Sequence, residues 1–254
     1  MTDPLQAFRL DRKCVVLTGA SSGLGVGFAR AMASVGADLV LVARRADRLA
    51  EVADGLRFLG GRVETYAADV SSPDDCRAAA DFAAERFGRI DVLVNNAGIG
   101  VAVPSSRETP EGFRSVIDVN LNGSFWMAQA CAEHMPVGSS IVNVASVLGH
   151  IAPRFPQAAY AASKAGVLGL TRDLAQEWSG RRGIRVNALC PGYFASEMTA
   201  KSDDQLREMV ANHSILGRFG EQAELDSALL FLASPAASYV TGTSLLVDGG
   251  MSAL

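Results

Sequence analysis

A glycine-rich turn near the N-terminus joins a segment with the pattern of a buried strand, residues 13–18, to a helix-like segment over residues 28–35. The turn reads Gly19-Ala-Ser-Ser-Gly23-Leu-Gly25. Glycines at this spacing permit a tight turn, leave backbone amides free to meet a pyrophosphate, and let the N-terminus of the next helix point at it. The turn therefore predicts a nucleotide-binding site. A strand-to-helix turn without a ligand is the alternative.

The rest of the chain alternates strand-like and helix-like segments. Further strand-like segments cover residues 38–43, 91–94, 140–145, 184–190 and 244–247, and one more ends at residue 68. This alternation is typical of a parallel sheet with helices on both faces. We expect an α/β fold, with one doubly wound sheet of about seven strands in a single domain over residues 1–254. Residues 193–217 lack a clear pattern, which is typical of a lid over a site.

Composition narrows the function classes. A net charge of −4 argues against nucleic acid as a main partner. The apolar runs are too short to span a membrane, and the N-terminus lacks the apolar core of a signal peptide. The cysteines are scattered, so we expect reduced, mostly buried thiols and a cytoplasmic protein. The three histidines share no ligand spacing, so we expect no metal site built from them.

The end of the strand 38–43 bears on the choice of nucleotide. An NAD site favours an acidic residue at this end, but Ala43 occupies it and Asp38 lies at the opposite end. Arg44 and Arg45 follow, and the planar arginine fork suits a 2′-phosphate. The pattern favours NADP(H), with NAD(H) as the alternative. Arg45 and Arg48 could instead belong to the solvated start of a helix.

Polar residues follow the next strands. Asp69 could accept a hydrogen bond from an adenine amino group or cap the helix that begins near Ser71, and the two roles are compatible. Asn95-Asn96-Ala97-Gly98 closes a strand with small and amide side chains that let the backbone approach a ligand. Asn120 lies inside a predicted helix over residues 111–131, where asparagine is mildly unfavourable. It therefore has either a functional role or a hydrogen bond in the core.

Tyr160 and Lys164 carry the strongest chemical signal. They are four residues apart at the start of a helix-like segment, so they share one helix face. Ser146 ends an apolar strand, where a parallel sheet places its ligand crevice. The three residues predict an acid/base group, a cation that tunes it, and a hydroxyl that holds the substrate.

These features together resemble the short-chain dehydrogenases/reductases over about residues 10–250. The motifs that carry the resemblance are Thr18-Gly-x-x-x-Gly-x-Gly25, Asp69-Val70, Asn95-Asn-Ala-Gly98, Asn120, Ser146, Tyr160-x-x-x-Lys164 and Pro191-Gly192. The resemblance implies a Rossmann fold, a nicotinamide cofactor, and a catalytic group of Asn120, Ser146, Tyr160 and Lys164. It also implies that Ser196 bonds the nicotinamide carboxamide. Relatives that prefer NADP(H) often carry a basic residue where Ser22 stands, so we expect Arg44 to bear most of the 2′-phosphate recognition.

The resemblance and the motifs together give two sets of binding residues. The predicted cofactor-binding residues are Gly19, Ser21, Ser22, Gly23, Leu24, Arg44, Arg45, Asp69, Val70, Asn96, Ala97, Gly98, Tyr160, Lys164, Pro191, Gly192, Phe194 and Ser196. The predicted substrate-binding residues are Ser146, Leu148, His150, Phe155, Tyr160 and Tyr193, with a further wall from residues 198–216. For His150, a position on the rim is the alternative to substrate contact.

The expected activity is hydride transfer between NADP(H) and a ketone or secondary alcohol. Tyr160 would be the acid or base, and Lys164 with the oxidised nicotinamide would lower its pKa. Asn120 would position a water for proton relay.

Three further expectations remain. Residues 215–220 resemble 3-oxoacyl-carrier-protein reductases, for which Arg181-Arg182 could dock the carrier. A non-catalytic NADP(H)-binding sensor or scaffold is the alternative outside enzymes. The resemblance and the apolar surroundings of Trp126 favour a homotetramer or homodimer.

Overall fold

The computed structural model describes residues 3–152, 155–194 and 204–254. Its strands form one fully parallel sheet in the order β3-β2-β1-β4-β5-β6-β7. The strands are β1 Cys14–Thr18, β2 Asp38–Ala43, β3 Val63–Ala67, β4 Val92–Asn95, β5 Ser140–Val144, β6 Arg185–Pro191 and β7 Ser244–Val247. The predicted doubly wound α/β sheet is therefore confirmed.

Helices cover both faces of this sheet. They are α1 Leu24–Ser34, α2 Ala46–Asp54, α3 Pro73–Phe87, α4 Pro110–Ile117, α5 Gly123–Ala132, α6 Ala158–Arg182, α7 Asp204–His213 and α8 Gln222–Ala233. Side chains of β1 alternate between the faces, because successive residues of a strand point to opposite sides. Val15 and Leu17 pack with Phe28 and Leu229 on one face. Val16 packs with Met127 and other residues on the second face.

The sheet order reverses between β1 and β4. The chain moves outward from β1 to β2 and β3, then returns to place β4 on the other side of β1. In sheets of this type the ligand crevice lies at the carboxyl ends of the strands beside such a reversal. The topology therefore brings Thr18, at the end of β1, next to the Asn95–Asn96 segment that ends β4.

The predicted helix over residues 111–131 is a continuous helical run with one irregular turn. α4 leads into a π-helical turn, Asp118–Asn122, and α5 follows directly. Asn120 lies inside this wider turn. Single π-turns in α-helices are frequent at functional sites. Periodicity in the sequence does not reveal such a turn, because it changes the hydrogen-bonding pattern without interrupting the helix.

All four cysteines are free and buried, as predicted. Burial raises the pKa of Cys14, Cys76 and Cys190 to about 12, so these thiols stay protonated and inert. Within the described ranges, no helix combines the length and the hydropathy that crossing a membrane requires.

Candidate active site

The glycine-rich turn is held tightly against the end of β4. Gly19 has a φ of +67°, and a Cβ atom there would lie 2.7 Å from Ala97 Cα. A Cβ atom on Gly25 would overlap the Gly19 carbonyl oxygen. Only glycine fits either position, so the backbone of this turn is left bare beside the N-terminus of α1. This is the geometry that a bound pyrophosphate requires.

Asn96 and Thr18 fix the start of this turn. Asn96 Nδ2 donates to the carbonyl oxygens of Thr18 and Gly19 at 3.0 and 3.2 Å. Thr18 Oγ1 accepts from the backbone amides of Asn96 and Ala97, each at 3.0 Å. The motif at the end of β4 therefore braces the turn at the end of β1.

Arg45, rather than Arg44, reaches the glycine-rich turn. Its guanidinium donates to Ser21 Oγ at 3.2 Å and to Ser22 Oγ at 3.1 Å. Arg45 thus supplies the positive charge beside Ser22 that the sequence of the turn lacks. We expected Arg44 to bear most of the 2′-phosphate recognition, and that expectation does not account for the contacts of Arg45 with the two serines. Arg45 also precedes α2 as its N-cap residue, so its side chain folds back from the helix start.

Arg44 faces the end of β3. Its guanidinium lies 3.9 Å from a carboxylate oxygen of Asp69. The other Asp69 oxygen accepts from the backbone amide and the hydroxyl of Ser71, at 3.0 and 2.7 Å. The hydrogen bonds from Ser71 lower the pKa of Asp69 and keep it ionised. Asp69 is not the cap of α3, because Ser72 holds that position. Val70 next to it is buried against Gly123.

The Asn120 side chain makes three hydrogen bonds within the protein. Its oxygen accepts from the Ile99 amide at 2.8 Å, and its nitrogen donates to the Ile99 carbonyl at 2.9 Å and to Ser163 Oγ at 3.0 Å. An amide side chain has two hydrogens to donate, so both are used. The nitrogen of the side chain therefore has no hydrogen left for a relay water, whereas the oxygen keeps a second lone pair. The core hydrogen bond that the sequence left as the alternative is present.

Lys164 is buried beside Tyr160. Its side chain is 4% exposed, donates to the Val144 carbonyl oxygen at 2.7 Å, and lies 5.6 Å from the centroid of the Tyr160 ring. Burial lowers the pKa of Lys164 from 10.5 to about 8, while nearby Cys190 opposes this change. The i, i+4 spacing thus places both groups in the same space, at the carboxyl end of β5.

Burial raises the pKa of Tyr160, and the hydrogen bond with Ser146 only partly opposes it. Loss of solvent is the largest cause of this shift, and Tyr193 raises the pKa further. Ser146 begins a short 3-10 turn, Val147–Gly149, and its hydroxyl accepts from the Leu148 amide at 3.1 Å. In this structure Tyr160 is therefore a protonated group poised to donate.

Two glycines that sequence reasoning missed shape this group. A Cβ atom on Gly100 would lie 2.7 Å from Tyr160 Cδ2. A Cβ atom on Gly149 would lie 2.9 Å from the backbone carbonyl of Lys164. Each glycine lies a few residues after a strand, and this position is the only local sequence feature that points to a role in the site. Their partners become clear only when α6 packs against these loops.

An apolar cluster next to Tyr160 contains several of the predicted substrate-binding residues. Leu148, Met209 and Met251 are among its buried members, and Tyr160 and Tyr193 pack against it. Phe155 also contacts the cluster, whereas His150 is exposed. His150 is absent from the described lining of the adjoining pocket of about 300 Å³, in agreement with the rim alternative.

The remaining predicted residues are placed as follows. Phe194 is 7% exposed and packs in the core, with its ring against Gly220. Gly192 lies against the backbone of Asp248, directly after Pro191 at the end of β6. Gly23 begins α1, and Leu24 packs against the core from its first turn. Ser196 and the first part of the predicted wall, residues 198–203, lie outside the described residues.

The fold and the site define a nucleotide-dependent oxidoreductase of Rossmann type. A family model described as Enoyl-(Acyl carrier protein) reductase matches residues 19–252. The chain is 45% identical over 250 residues to a galactitol 2-dehydrogenase (L-tagatose-forming) of Cereibacter sphaeroides, with 96% of each chain covered. It is 40% identical over 248 residues to a 3-oxoacyl-(acyl-carrier-protein) reductase of Thermotoga maritima, and the match covers 96% of this chain and 99% of the reductase.

A solved structure of similar fold is also a dehydrogenase. A gluconate 5-dehydrogenase from Burkholderia cenocepacia J2315, in complex with NADP and tartrate, is 36% identical with a TM-score of 0.93, covering 99% of this chain and 100% of that one. The chain therefore belongs to the short-chain dehydrogenase/reductase family, as its motifs indicated. Enzymes of this family use NAD(P) to interconvert alcohols and carbonyl compounds.

Proposed function

We propose that this protein transfers a hydride between NADP(H) and a ketone or secondary alcohol of medium size. The observation that carries the proposal is the grouping of Ser146, Tyr160 and Lys164 at the carboxyl end of β5. This group lies beside the nucleotide turn on one side and the apolar cluster on the other. The polyol and sugar-acid names of several relatives favour a hydroxylated substrate within this class.

The residues of the chain would act on the substrate oxygen. Tyr160, kept protonated by burial, donates a proton to the oxygen of a ketone as negative charge develops there. Ser146 donates a hydrogen bond to the same oxygen. Lys164 binds the ribose hydroxyls of the cofactor and stabilises the tyrosinate that remains. The bound nicotinamide supplies the hydride. For alcohol oxidation the same groups work in reverse, and the positive nicotinamide would help to lower the pKa of Tyr160.

The preference for NADP(H) is supported by the two arginines after β2. Arg45 bridges the serines of the glycine-rich turn, and Arg44 lies near Asp69 at the end of β3. Together they line the place where a 2′-phosphate on the adenosine ribose would sit. The family relative from Burkholderia was solved with NADP.

Carrier-protein reduction is the second candidate, because the Thermotoga relative has that name. The docking residues considered for it, Arg181 and Arg182, end α6, whose first turn holds Tyr160. A helix of 25 residues is about 37 Å long, so they lie far from the reacting groups. Arg182 is also bonded to the Ala132 carbonyl and stacks on Trp178 at 5.8 Å. These contacts favour a small-molecule substrate.

We further propose a cytoplasmic homotetramer, or a homodimer, built from one domain over residues 1–254 with a lid at about 193–217. Large apolar side chains near the edge strand β7 support association: Leu246 of the strand itself is 36% exposed, and Tyr239 close before it is fully exposed. Light scattering after size-exclusion chromatography should give about four times, or twice, the chain mass of 26.6 kDa. A monomer at micromolar concentration would contradict this proposal.

The decisive test is turnover by Tyr160→Phe. We expect it to bind NADPH normally and to keep less than a few per cent of wild-type turnover, because the ring stays and only the proton donor is lost. Tyr66→Phe, on the edge strand β3 beside Phe82, is the matched control and should keep full activity. Higher residual turnover in Tyr160→Phe would contradict the catalytic assignment. Wild-type protein that binds NADPH without reducing any ketone would instead support the sensor alternative.

A thermal-shift titration with NADPH and NADH tests the cofactor assignment. A ligand that binds only the folded state raises the melting temperature according to the logarithm of its concentration over Kd. We expect a larger shift with NADPH at equal concentration. An equal or larger shift with NADH would refute the assignment to NADP(H).

A further inference from the structure

The pocket lined by members of the apolar cluster has a polar group at the end of α7 that the catalytic mechanism does not use. The pocket holds about 300 Å³, and its lining includes Leu148, Ile151, Tyr193, Met209 and His213. Leu148, Met209 and Tyr193 belong to the apolar cluster against which Tyr160 packs. His213 is half-buried, so its ring is in contact with both the protein and the space of the pocket.

The hydrogen bonding of His213 fixes its tautomer. Nδ1 lies 2.9 Å from the Met209 carbonyl oxygen, one helical turn earlier. A carbonyl oxygen can only accept, so Nδ1 must carry the proton that it donates. In the neutral imidazole the other nitrogen, Nε2, then carries a lone pair and can only accept. Within the described ranges, no side chain or backbone group is hydrogen-bonded to Nε2.

We propose that His213 is a specificity-determining residue that accepts a hydrogen bond from a second hydroxyl group of the substrate. The inference rests on the proposed function and narrows its substrate class to polyols and hydroxyketones. In a pocket that is otherwise mainly apolar, a fixed acceptor favours a substrate that brings its own O–H donor. A substrate with an alkyl group opposite Nε2 leaves this nitrogen unpaired and gains no binding energy from it.

A purely structural role is the alternative for a histidine that bonds a residue of its own helix. In that role the ring serves only to fill space and to bond Met209, and the second nitrogen is either buried or paired. His213 does not fit this structural role, because it is partly accessible and lines the same pocket as Tyr193 and Leu148. The two readings predict different effects on substrates that differ only in hydroxyl groups.

The experiment compares kcat/KM for galactitol and for 2-hexanol, with NADP+, in four proteins. These are the wild type, His213→Leu, His213→Gln and the control His134→Leu. Leucine removes the acceptor, and glutamine restores an acceptor oxygen at similar reach. His134 pairs with Asp81 and accepts from the Ile90 amide just before β4, at the opposite end of the strands from the pocket, so its replacement should leave the ratio of the two substrates unchanged. Binding of NADPH, followed by thermal shift, shows that each variant is folded.

We expect the wild type to prefer galactitol, and His213→Leu to lower the galactitol to 2-hexanol ratio by roughly 3- to 10-fold, as for loss of one neutral hydrogen bond. His213→Gln should recover most of that loss. An equal effect on both substrates, or an unchanged ratio, would overturn the role of His213 while the proposed function stands. A wild type that oxidises 2-hexanol but not galactitol would also overturn it. Absence of turnover with both would count against the proposed function and this inference together.

Discussion

At the scale of the residue, burial dominates the electrostatics of the catalytic group. Lys164 is desolvated and bonded to a neutral carbonyl, so its charged form is costly and its pKa falls to about 8. Tyr160 is shielded in the same way, and its pKa rises. Both shifts favour the neutral forms in the absence of cofactor. Ligand binding would add the charges that change this balance.

The lowered pKa of Lys164 should be visible in protein stability. Between about pH 8 and 10.5 the unfolded chain binds this proton and the folded chain does not, so stability rises with pH across that range. Below about pH 8 both states bind the proton, and the full cost of the buried charge is present. The stability of Lys164→Met relative to wild type should therefore be highest below pH 8 and should decline toward pH 10.5.

Urea unfolding of both proteins at several pH values checks this prediction. Other titrating groups contribute equally to the two proteins, so they cancel in the difference. A difference in the free energy of unfolding that stays constant from about pH 8 to 10.5 would show that Lys164 is not perturbed in the folded chain.

Arg45 and Arg44 provide a second comparison between neighbouring residues. Arg45 contacts the serines of the glycine-rich turn, whereas Arg44 lies close to the carboxylate of Asp69, which partly offsets its charge. We expect Arg45→Ala to weaken NADPH binding by roughly 5- to 20-fold, less than for a buried charged contact because the site is exposed. Arg44→Ala should weaken it less.

Kd values for NADPH and NADH, measured by fluorescence titration, test this assignment. NADH lacks the 2′-phosphate, so its affinity should change little in either variant. Equal weakening of both nucleotides by Arg45→Ala would mean that the arginine acts on the fold of the turn and not on the phosphate.

At the scale of the element, the π-helical turn between α4 and α5 links the loop after β4 to α6. Asn120 holds both backbone groups of Ile99 and also bonds Ser163 on α6. Ser163 Oγ in turn donates to the Tyr160 carbonyl at 2.7 Å. Gly100, directly after Ile99, lies against the Tyr160 ring. One amide side chain thus sets the spacing between that loop and the proton donor.

A methyl group at residue 100 should therefore disturb catalysis more than folding. In Gly100→Ala the new Cβ atom would lie 2.7 Å from Tyr160 Cδ2, so the ring or the loop must move. We expect kcat to fall by roughly tenfold or more, because small displacements of reacting groups are costly. Gly180→Ala is the matched control, since it adds a methyl group into open space on the exposed end of α6. Similar losses of kcat in both variants would contradict this role for Gly100.

At the scale of the whole molecule, a buried polar network joins the adjacent strands β4 and β5 to α6. Asn95 on β4 donates to Asn143 on β5 at 2.9 Å, and Asn143 donates to Thr171 on α6 at 3.0 Å. Thr171 completes its own bonding through the Val167 carbonyl at 2.8 Å. No buried side-chain nitrogen or oxygen lacks a partner within the described ranges. The network therefore fixes α6, and with it Tyr160 and Lys164, against the sheet.

Removal of one member should destabilise the fold as a whole. Thr171→Val keeps the shape but leaves an amide hydrogen of Asn143 unpaired in the core, at a cost of about 1–3 kcal/mol. Urea unfolding at equal protein concentration measures the loss. Thr65→Val on the edge strand β3 is the control and should change the free energy of unfolding little. Equal values for the two variants would show that the network adds no stability.

Much of the fold followed from local patterns. The order of strands and helices could be predicted because apolar periodicity and turn residues are short-range features. Tyr160 and Lys164 were found together because a helix places residues four apart on one face. The π-helical turn and the close contacts of Gly100 and Gly149 could not be predicted, since they depend on segments distant in the chain.

The sequence by itself determined a parallel, doubly wound sheet, a nucleotide turn and the residues able to do acid/base chemistry. These depend on local geometry, on side-chain chemistry and on the fixed handedness of strand–helix–strand connections. The tertiary structure is needed to show that Arg45 reaches the turn, that Asn120 bonds Ile99 and Ser163, that burial raises the pKa of Tyr160, and that His213 lines the pocket. Each of these depends on which distant segments share space and on how much water they exclude, which no local pattern specifies.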